Sequence, residues 1–362
     1  MRILLFGPFI DYQIQLANAL CRKETIMLVI PGTEFLDAYS GTIDERVDVR
    51  FLGKMNIYSP EAINILIRFL KIIYSFKPDI IHLQIGGSII DLALLPLIKN
   101  IPLVSTFHDI KLHPGEGSLL TDLILYWDRK YSDAIIVHGK RLKEQMIDEY
   151  AIPENKIYSI SSGEHEVAPF KRYIKSDVHE DGNLILFFGR IWKYKGLEYL
   201  LKAEPLITKE IPDAKIIIAG AGENFQKYEN MMVNRHNFII HNYRIPYNEG
   251  AELFQRCSLV VLPYIDASQS GVIPTAYSFK KPVVVTSVGS IPEIVDDGIT
   301  GYIVSPMDVN ALAEAIIKLL KDEKLRRQMG ENAYIKLKTD LSWDNIAEKT
   351  IQVYIETIRA KL

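Results

Sequence analysis

The stretch Leu259–Val304 constrains the fold more than any other part of the chain. Two β-branched apolar runs within it, Leu259–Leu262 and Val283–Val285, have the composition of strands buried inside a parallel sheet. Because proline is tolerated only in the first turn of a helix, Pro274 predicts a short helix that begins close to Gly271. The first N–H groups of that helix have no partner within the helix, and the helix start comes after a parallel strand. This position predicts either an anion-binding site or a capped helix without a ligand.

Strand-like runs alternate with helix-like runs along most of the chain, which predicts an α/β fold of βαβ units with helices on both faces of parallel sheets. Besides the two runs above, the predicted strands are Ile3–Phe6, Ile80–Leu83, Pro102–Thr106, Ala134–Val137, Ile157–Ile160, Leu184–Phe188, Lys215–Ala219 and Phe238–Ile240. The predicted helices cover Tyr12–Leu20, Ser59 to about Phe76, Asp308–Leu320, and Ser342 to about Arg359.

At 362 residues the chain is too long for one ordinary hydrophobic core, so two domains are expected. The alternation lapses into a charged run over 163–182, which we interpret as a linker between two similar α/β domains, 1–168 and 169–342. No strand follows the last helix, at about 343–362. That helix is therefore free to pack back on the first domain.

Composition and termini limit the class of protein. The net charge is −3 and neither half carries a basic block, so nucleic acid is not expected as a partner. Cys21 and Cys257 share no motif, which favours a reducing compartment. The amino terminus suits a first strand better than a secretion signal, and no transmembrane helix is predicted. We expect a cytoplasmic protein, or one attached only at its surface to the inner face of a membrane.

The loop after the strand Leu184–Phe188 holds three cations, Arg190, Lys193 and Lys195, just before a helix begins at Leu197. Cations at the amino terminus of a helix oppose its dipole, so something anionic is expected there. Arginine suits bidentate contact with a phosphate, and lysine acts as a point charge. The alternative is a solvated basic loop, but the unfavourable position favours a diphosphate.

Three glycines at the ends of predicted strands are ambiguous. Gly220 and Gly222 follow Lys215–Ala219, and Gly7 follows the first strand. Glycine permits close approach by a ligand or by another backbone, and the sequence does not separate the two.

His108 ends the predicted strand Pro102–Thr106, where it could orient a sugar or share a proton, or form a capping pair with Asp109. The histidines at 113, 138 and 165 lack metal-ligand spacing, so no metal is predicted. Ser290 and Glu293 match a capping box. No phosphate-binding P-loop, serine-hydrolase motif or Cys–His pairing is present, which argues against a kinase or hydrolase.

Several segments resemble the family 4 glycosyltransferases, retaining enzymes with the two-domain GT-B architecture, and they occur in the same order as in that family. The resemblance is strongest from Ile185 to Val304, with FFGRIWKYKGLEYLLKA, AGAGEN, LVVLPY and SGVIPTAYSFKKPVVVTSVGSIPEIVDDGITGYIV, and it continues in the terminal LSWDNIAEK. In the first domain they are PDIIHLQ, PLVSTFHDIKLHPG and DAIIVHGKRLKEQM. The resemblance implies two Rossmann-like domains whose parallel sheets face a central cleft, the first for the acceptor and the second for the nucleotide-sugar donor.

The resemblance also implies roles for single residues. Arg190 and Lys195 correspond to the clamp on the donor's diphosphate, and His108 to a histidine beside the transferred sugar; these three are the implied catalytic residues. Gly271 and Val272 would offer backbone N–H groups to the phosphates. The implied donor-binding residues are Gly7, Gly189, Gly220, Gly222, Tyr243, Arg244, Ile245, Asp266, Gln269, Ser270, Gly271, Val272 and Thr275, with 243–245 holding the nucleobase largely through backbone.

One feature departs from the family pattern. The family usually carries two glutamates eight positions apart around the short helix, one near the sugar and one on the ribose, and those positions hold Ala267 and Thr275. Asp266 is the only acid nearby. Relatives with a Q-S-G-V segment exist, so the change does not require inactivity. Asp266, Gln269 and Thr275 are the expected partial substitutes.

The implied function is a retaining transfer of a sugar, with a hexose expected, from a UDP- or GDP-sugar to a hydroxyl of a glycan or lipid-linked acceptor, as in polysaccharide biosynthesis. It needs neither metal nor cofactor: the acceptor attacks from the face that the diphosphate leaves, and the departing phosphate oxygen takes the acceptor's proton. The alternatives are a sugar-nucleotide-binding scaffold without catalysis and a sugar-nucleotide epimerase of the same architecture.

Two apolar segments bear on the acceptor. The helix at Ile63–Tyr74 and the segment Leu119–Trp127 are apolar enough to touch a bilayer surface, as a lipid-linked acceptor would require. A buried core stripe explains the first segment equally well. Peripheral membrane contact is therefore an expectation with a structural alternative.

Overall fold

The computed structural model describes residues 1–32, 41–53, 61–85, 89–110, 119–163 and 170–362, except for the side chains at 61, 62, 89 and 90. The chain folds into two compact units. Unit 1 comprises Met1–Gly163 together with Ser342–Leu362, and unit 2 comprises Glu164–Leu341. The predicted domain boundary, between 168 and 169, lies outside the described residues.

Unit 1 contains a seven-stranded parallel sheet with the order β3-β2-β1-β4-β5-β6-β7. Its strands are β1 (Arg2–Phe6), β2 (Thr25–Ile30), β3 (Asp48–Phe51), β4 (Ile80–Ile85), β5 (Leu103–Phe107), β6 (Ala134–Val137) and β7 (Ile157–Ser159). Its first helices are α1 (Ile10–Leu20), α2 (Glu61–Phe76), α3 (Ile89–Ile98), α4 (Leu119–Tyr131) and α5 (Lys140–Tyr150).

Both faces of this sheet are buried, because successive side chains of a strand point to opposite faces. In β1, Leu4 and Phe6 join a core with the helices α2, α3 and α4. Ile3 and Leu5 join a second core with α1. This double burial explains why the strands read as continuous apolar runs in the sequence.

Unit 2 contains a six-stranded parallel sheet with the order β10-β9-β8-β11-β12-β13. Its strands are β8 (Leu184–Phe188), β9 (Lys215–Ala219), β10 (Phe238–His241), β11 (Leu259–Leu262), β12 (Val283–Thr286) and β13 (Gly301–Val304). Its helices are α6 (Leu197–Glu210), α7 (Gln226–Glu229), α8 (Tyr247–Arg256), α9 (Val272–Ser278), α10 (Ile291–Ile294), α11 (Val309–Lys321) and α12 (Glu323–Thr339).

The strand order of unit 2 reverses between β8 and β11, since the chain adds β9 and β10 on one side of β8 and β11 to β13 on the other. In open α/β sheets, ligands bind outside the carboxyl ends of the strands at such a switch point. The loops that follow β8 and β11 flank this position. They are the two loops in which the sequence predicts an anion site.

The terminal helix, α13 (Trp343–Lys361), belongs to unit 1 and packs on α1. Ser342 caps it, since its hydroxyl oxygen accepts a hydrogen bond from the backbone N–H of Asn345. Its buried residues Ile346, Val353 and Tyr354 enter the same core as Ile3 and Leu5. The predicted return of this helix to the first domain is confirmed.

The predicted fold class, two α/β domains with parallel sheets, is confirmed, as is the start of the helix near Gly271. The prediction gave no bounds for the strands β2, β3 and β13 or for the helices α3, α5, α7, α8 and α12. Part of the predicted linker is wrong, because Phe170 is buried in the core of unit 2 and Glu180 forms ion pairs with Lys281 and Arg326.

The predicted capping box at Ser290 is also wrong. Ser290 precedes α10, but its backbone angles (φ −90°, ψ 10°) are not those of an extended N-cap residue, and its side chain makes no capping hydrogen bond. The hydroxyl oxygen is fully buried and has no hydrogen-bond partner within the described part of the chain.

Candidate functional site

A cavity of 560 Å³ opens in unit 2 at the carboxyl ends of β8 and β9 and at the loop that leads to α8. Five of the residues predicted to bind the donor line it: Gly189, Arg190, Gly220, Arg244 and Ile245. The other lining residues are Phe170, Phe188, Ala219, Ala221, Pro246 and Tyr247. Aromatic and apolar walls with two guanidinium groups suit a planar base joined to an anionic group.

Lys195 lies in the short 3₁₀ turn Lys193–Lys195 that follows β8, and its ammonium nitrogen stands 3.8 Å from the centroid of the Tyr264 ring. Tyr264 is buried, and its hydroxyl is 3.2 Å from the Ser270 hydroxyl. Burial raises the pKa of Tyr264 to about 12, against the opposing effects of Ser270 and of the Arg190 charge. Lys195, Tyr264, Ser270 and Arg190 therefore form one neighbourhood in unit 2.

The helix α9 begins beside the loop that follows β8. A side chain added at Gly189 would meet Val272 at 3.7 Å, which is ordinary van der Waals contact. Gly271 is the N-cap residue, so the N–H groups of Gly271 and Val272 belong to the open end of this helix. In the preceding loop Asp266 is exposed and Gln269 is half-buried.

Gly220 and Gly222 are required by backbone packing. A Cβ atom at Gly220, where φ is +153°, would lie 1.7 Å from the carbonyl oxygen of Gly189. A Cβ atom at Gly222 would lie 2.0 Å from the carbonyl oxygen of Ile191. The ambiguity left by the sequence is thus resolved in part: these glycines let two strand-end loops touch, and Gly220 also lines the cavity.

The two positions at which the family usually carries glutamate do not present polar groups to the cavity. Ala267 is buried in the core of unit 2. Thr275 is also buried, and its hydroxyl donates a hydrogen bond to the carbonyl oxygen of Gly271 at 3.0 Å. Thr275 therefore does not fit the expected role of a partial substitute for a glutamate, because its hydroxyl is committed to its own helix.

Tyr243 is half-exposed beside the cavity but is not among its lining residues. Its hydroxyl donates a hydrogen bond to Oε1 of Glu249 at 2.6 Å and lies 2.9 Å from Nδ1 of His241. The bond to Glu249 raises the pKa of Tyr243. Within the predicted segment 243–245 it is Arg244 and Ile245 that line the cavity.

In unit 1, His108 follows β5 and is buried. Its Nε2 lies 2.6 Å from Oε1 of Gln84, and its Nδ1 lies 3.2 Å from Nε2 of His138. The ring of Phe9 stacks on it with a centroid distance of 3.9 Å. Both ring nitrogens are therefore within hydrogen-bond distance of groups of unit 1, and the catalytic role of His108 stays a prediction.

Gly7 follows β1 and is packed against β4. At φ +146°, a Cβ atom there would lie 2.3 Å from the carbonyl oxygen of Gln84. The carbonyl oxygen of Gly7 accepts a hydrogen bond from the side-chain amide of Gln13 at 2.7 Å. Gly7 thus brings the loop before Phe9 against the strand that carries Gln84.

Two family models match the chain. One, described as Glycosyltransferase Family 4, matches residues 12–163, and the other, Glycosyl transferases group 1, matches residues 170–336. Between them they cover most of both units. The chain belongs to the family 4 glycosyltransferases. The resemblance inferred from the sequence motifs is confirmed, and the protein is an enzyme of the glycosyltransferase class.

Individual relatives agree with this assignment. A protein of Methanocaldococcus jannaschii named as an uncharacterized glycosyltransferase is 29% identical over 297 residues, covering 77% of this chain and 75% of its own. The N-acetyl-α-D-glucosaminyl L-malate synthase of Bacillus anthracis is 26% identical over 268 residues, covering 72% of this chain and 69% of its own.

The fold is shared with solved GT-B glycosyltransferases. The crystal structure of HepE from Anabaena in complex with UDP superposes with a TM-score of 0.73 at 16% identity, covering 98% of this chain and 100% of that one. Identity this low supports the fold alone. The GT-B assignment predicted from the motifs is thereby confirmed.

Four aromatic residues at or beside the cavity were not predicted from the sequence. Phe170, Phe188 and Tyr247 line the cavity, and Tyr264 lies under Lys195. Tyr264 could have been found, because it comes directly after β11 and Pro263 at the switch point. Phe170 could not, since it lies in the charged run that resembled a linker.

Two further observations concern metals and membranes. Within the described ranges, no three His, Cys, Asp or Glu side chains gather closely enough to hold a metal ion. None of the described helices combines the length and apolar character needed to cross a bilayer.

Proposed function

We propose that this glycosyltransferase takes its sugar from a nucleoside diphosphate sugar, with a UDP-sugar as the first donor to test, and transfers it with retention of anomeric configuration. The observation that carries the proposal is the cavity of unit 2, whose lining combines apolar and aromatic side chains with Arg190 and Arg244. HepE, which shares the fold, holds UDP in its crystal structure. Hexose is the expected sugar.

The diphosphate would lie between the loops that follow β8 and β11. Arg190 and Lys195 supply two positive charges there, and Gly271 and Val272 supply backbone N–H groups at the start of α9. As the bond to the sugar breaks, negative charge grows on the diphosphate, and fixed cations stabilise that charge. This arrangement supports departure of the diphosphate without a metal ion.

Retention would follow from attack on the face that the diphosphate leaves. Among the described residues, those that line the cavity include no carboxylate, so the proposal has no protein nucleophile. The departing phosphate oxygen takes the proton of the acceptor hydroxyl as the new bond to the sugar forms. The protein's part is to hold donor and acceptor and to stabilise the phosphate charge.

The donor is identified by calorimetry with UDP, GDP and ADP, followed by turnover with the matching sugar nucleotides. We expect UDP to bind more tightly than GDP or ADP, and we expect EDTA to leave turnover unchanged. Proton NMR of the product reports the anomeric configuration directly. Inversion, or absence of binding to all three diphosphates, would contradict the proposal.

We further propose that unit 1 contacts an anionic membrane surface, where a lipid-linked acceptor would be presented. The helices α2, α3 and α4 cover one face of the sheet in unit 1, and large apolar side chains on all three are exposed to solvent. These exposed side chains are Ile63, Ile67, Tyr74, Leu97, Leu119, Leu120, Leu123 and Tyr126. The core-stripe alternative for the segment 63–74 therefore accounts for only part of it.

The charges on this face complement an anionic surface. Among the described exposed side chains of the three helices, Arg68, Lys71 and Lys130 are basic and Asp122 is acidic. The whole chain carries a net charge of −3, so a locally basic face is a departure from the average. Apolar area together with basic residues is the combination that binds membrane interfaces.

Vesicle sedimentation tests the contact. Wild-type protein is expected to bind vesicles containing phosphatidylglycerol more strongly than vesicles of phosphatidylcholine alone, and less at high salt. The double variant Leu119→Glu/Leu123→Glu should lose this binding. The control is Ile299→Glu/Ile335→Glu, which places the same charges on exposed apolar positions of unit 2. Equal loss in both variants, or no binding by the wild type, would refute membrane contact.

A further inference from the structure

A chain of buried polar side chains runs through unit 1 from the terminal helix to the loop after β6. The Tyr354 hydroxyl is 2.6 Å from Nδ1 of His82, and Nε2 of His82 is 2.7 Å from the Thr106 hydroxyl and 3.3 Å from Nε2 of Gln84. The Gln84 amide lies 2.6 Å from Nε2 of His108, and Nδ1 of His108 lies 3.2 Å from Nε2 of His138. At the far end, Nδ1 of His138 lies 3.0 Å from the carbonyl oxygen of Ile160.

The carbonyl oxygen of Ile160 determines where the proton of His138 lies. A carbonyl oxygen only accepts hydrogen bonds, so Nδ1 of His138 must carry a proton. Burial lowers the pKa of His138 to about 4, although the Asp109 charge acts in the opposite direction. At neutral pH, His138 therefore has one proton, and its Nε2 is an acceptor.

An acceptor at Nε2 of His138 requires a proton on Nδ1 of His108, because these two nitrogens face one another at 3.2 Å. The state of the other nitrogen of His108 then depends on Gln84. If Oε1 of Gln84 faces it, Nε2 must also be protonated and His108 is a cation. If the amide is turned by 180°, its NH₂ group donates to a bare Nε2 and His108 is neutral. The two orientations differ only by exchange of the amide oxygen and nitrogen, so the hydrogen-bonding partners decide between them.

The neutral arrangement satisfies each nitrogen of the chain. The turned Gln84 amide places its oxygen toward Nε2 of His82. The proton on that Nε2 is then donated to the amide oxygen or to the Thr106 hydroxyl oxygen, and the Tyr354 hydroxyl donates to Nδ1 of His82. Burial lowers the pKa of His82 to about 3, in agreement with a neutral ring. In the cationic arrangement, both nitrogens of a buried charge would face neutral partners, which is costly.

We propose that His138, held by the carbonyl oxygen of Ile160, is a positioning residue that keeps His108 neutral with its proton on Nδ1. His108 then holds a lone pair at Nε2, and the Gln84 amide donates to it. The significance for catalysis rests on the proposed function, in which His108 lies beside the transferred sugar. From that nitrogen His108 could not donate to a sugar hydroxyl, and a sugar hydroxyl could donate to it only by displacing the Gln84 amide.

Nitrogen-15 NMR of histidine-labelled protein measures the proposed state. The chain has eight histidines, and the signals of His108 and His138 are assigned by their loss in His108→Gln and His138→Gln. At pH 7.5 both rings are expected to show a protonated Nδ1 and a bare Nε2. A doubly protonated His108, or one with its proton on Nε2, would overturn the proposal without any variant.

Two substitutions of His138 separate positioning from bulk packing. Glutamine can accept from Nδ1 of His108 through its oxygen and donate to Ile160 through its NH₂, so His138→Gln should keep the proton of His108 on Nδ1. Leucine can do neither, so in His138→Leu the proton should move to Nε2 and be donated to Gln84. Urea unfolding of unit 1 serves as the folding control, because His138 belongs to unit 1 while the cavity residues, and hence UDP affinity, belong to unit 2. An unchanged His108 tautomer in His138→Leu would contradict the role of His138.

Turnover supplies the second measurement. We expect kcat to fall about tenfold in His138→Leu, the loss that 1.4 kcal/mol produces. We expect His138→Gln to recover most of it, with the KM for donor unchanged in both. If the wild type transfers no sugar from any nucleotide sugar, the proposed function fails, while the nitrogen shifts still decide the tautomer. Normal turnover in His108→Gln would instead refute a positioning role for His138 in the reaction.

Discussion

At the scale of single residues, the positive charge for the proposed diphosphate comes from the side chains of Arg190 and Lys195 rather than from the helix α9. The helix α9 spans only seven residues, so its N–H groups act mainly as local hydrogen-bond donors. Arg190 lines the cavity, and Lys195 is held over the face of Tyr264. A lysine fixed on an aromatic ring loses less conformational freedom when it binds a phosphate than a solvated one does.

Removing either cation should therefore slow transfer strongly. We expect Arg190→Ala and Lys195→Ala each to lower kcat/KM by about 10²-fold, the scale for losing one preorganised charge contact to a transition state. Steady-state kinetics with the donor identified by calorimetry gives the ratio.

The matched control is Lys193→Ala, since Lys193 lies in the same 3₁₀ turn but is exposed to solvent. It should change kcat/KM by less than about threefold, because exposed charges are screened by water and salt. Near-normal turnover in both Arg190→Ala and Lys195→Ala would remove the basis for the diphosphate clamp.

The sequence revealed some of these residues and concealed others for physical reasons. Cations at a helix start are unfavourable without a partner, so Arg190 and Lys195 could be predicted as site residues from position alone, and Arg190 does line the cavity. Gly220 could not be assigned to a ligand or to a backbone neighbour, because glycine permits both. The burial of Ala267 and Thr275 depends on how the loop after β11 packs on the core, which no local pattern encodes.

At the scale of secondary structure, most of the predicted strands are apolar and buried, although β2, which is also buried on both faces, was missed. Leu184–Phe188 and Lys215–Ala219 have the same limits in the sequence and in the structure. The strand β3, with the sequence DVRF, was missed because it lies at the edge of its sheet and its side chains are largely exposed. Ser290 shows a second limit, since a capping motif fails when the backbone at the cap is not extended.

The helix α4 contains an ionisable group that couples folding to pH. Asp128 is fully buried, and neither of its carboxyl oxygens has a hydrogen-bond partner within the described part of the chain. Burial, and secondarily the charge of Asp91 on α3, raises the pKa of Asp128 to about 8. The folded protein therefore binds a proton that the unfolded chain, with an ordinary aspartate pKa near 4, does not bind between these values.

We expect the free energy of unfolding of unit 1 to fall as pH rises from about 4 to about 8, by up to about 1.4 kcal/mol per pH unit from this group. Asp128→Asn should flatten that slope. The lowered pKa values of His82 and His138 act in the opposite direction. The folded protein keeps both rings neutral, so the free energy of unfolding falls when the pH drops below about 6.5 and the unfolded chain binds protons at these histidines. Urea unfolding between pH 6.5 and 8 therefore isolates Asp128.

Asp122→Asn on the same helix is the control for this measurement, since Asp122 is exposed. It should leave the slope between pH 6.5 and 8 unchanged. A slope equal in Asp128→Asn and in the wild type would show that Asp128 is ionised in the folded protein.

At the scale of the whole molecule, the chain closes unit 1 with its last helix. The chain enters unit 2 after Gly163 and leaves it at Leu341, so unit 1 is complete only when α13 has been added. Each unit has its own two hydrophobic cores. A change in α13 should therefore destabilise unit 1 while the donor cavity, which unit 2 provides by itself, is retained.

Tyr354 offers the sharpest test of this division, because it is fully buried, packs with α1 residues in the core and contacts His82 through its hydroxyl. Tyr354→Ala should destabilise unit 1 by about 3–5 kcal/mol, the usual cost of truncating a buried aromatic side chain. Hydrogen exchange followed by mass spectrometry should show faster exchange in β1, β4 and α1, while UDP protects peptides of unit 2 as in the wild type. The control Tyr173→Ala, at an exposed position of unit 2, should change neither. Equal acceleration of exchange in both units by Tyr354→Ala would mean that the units unfold as one cooperative body.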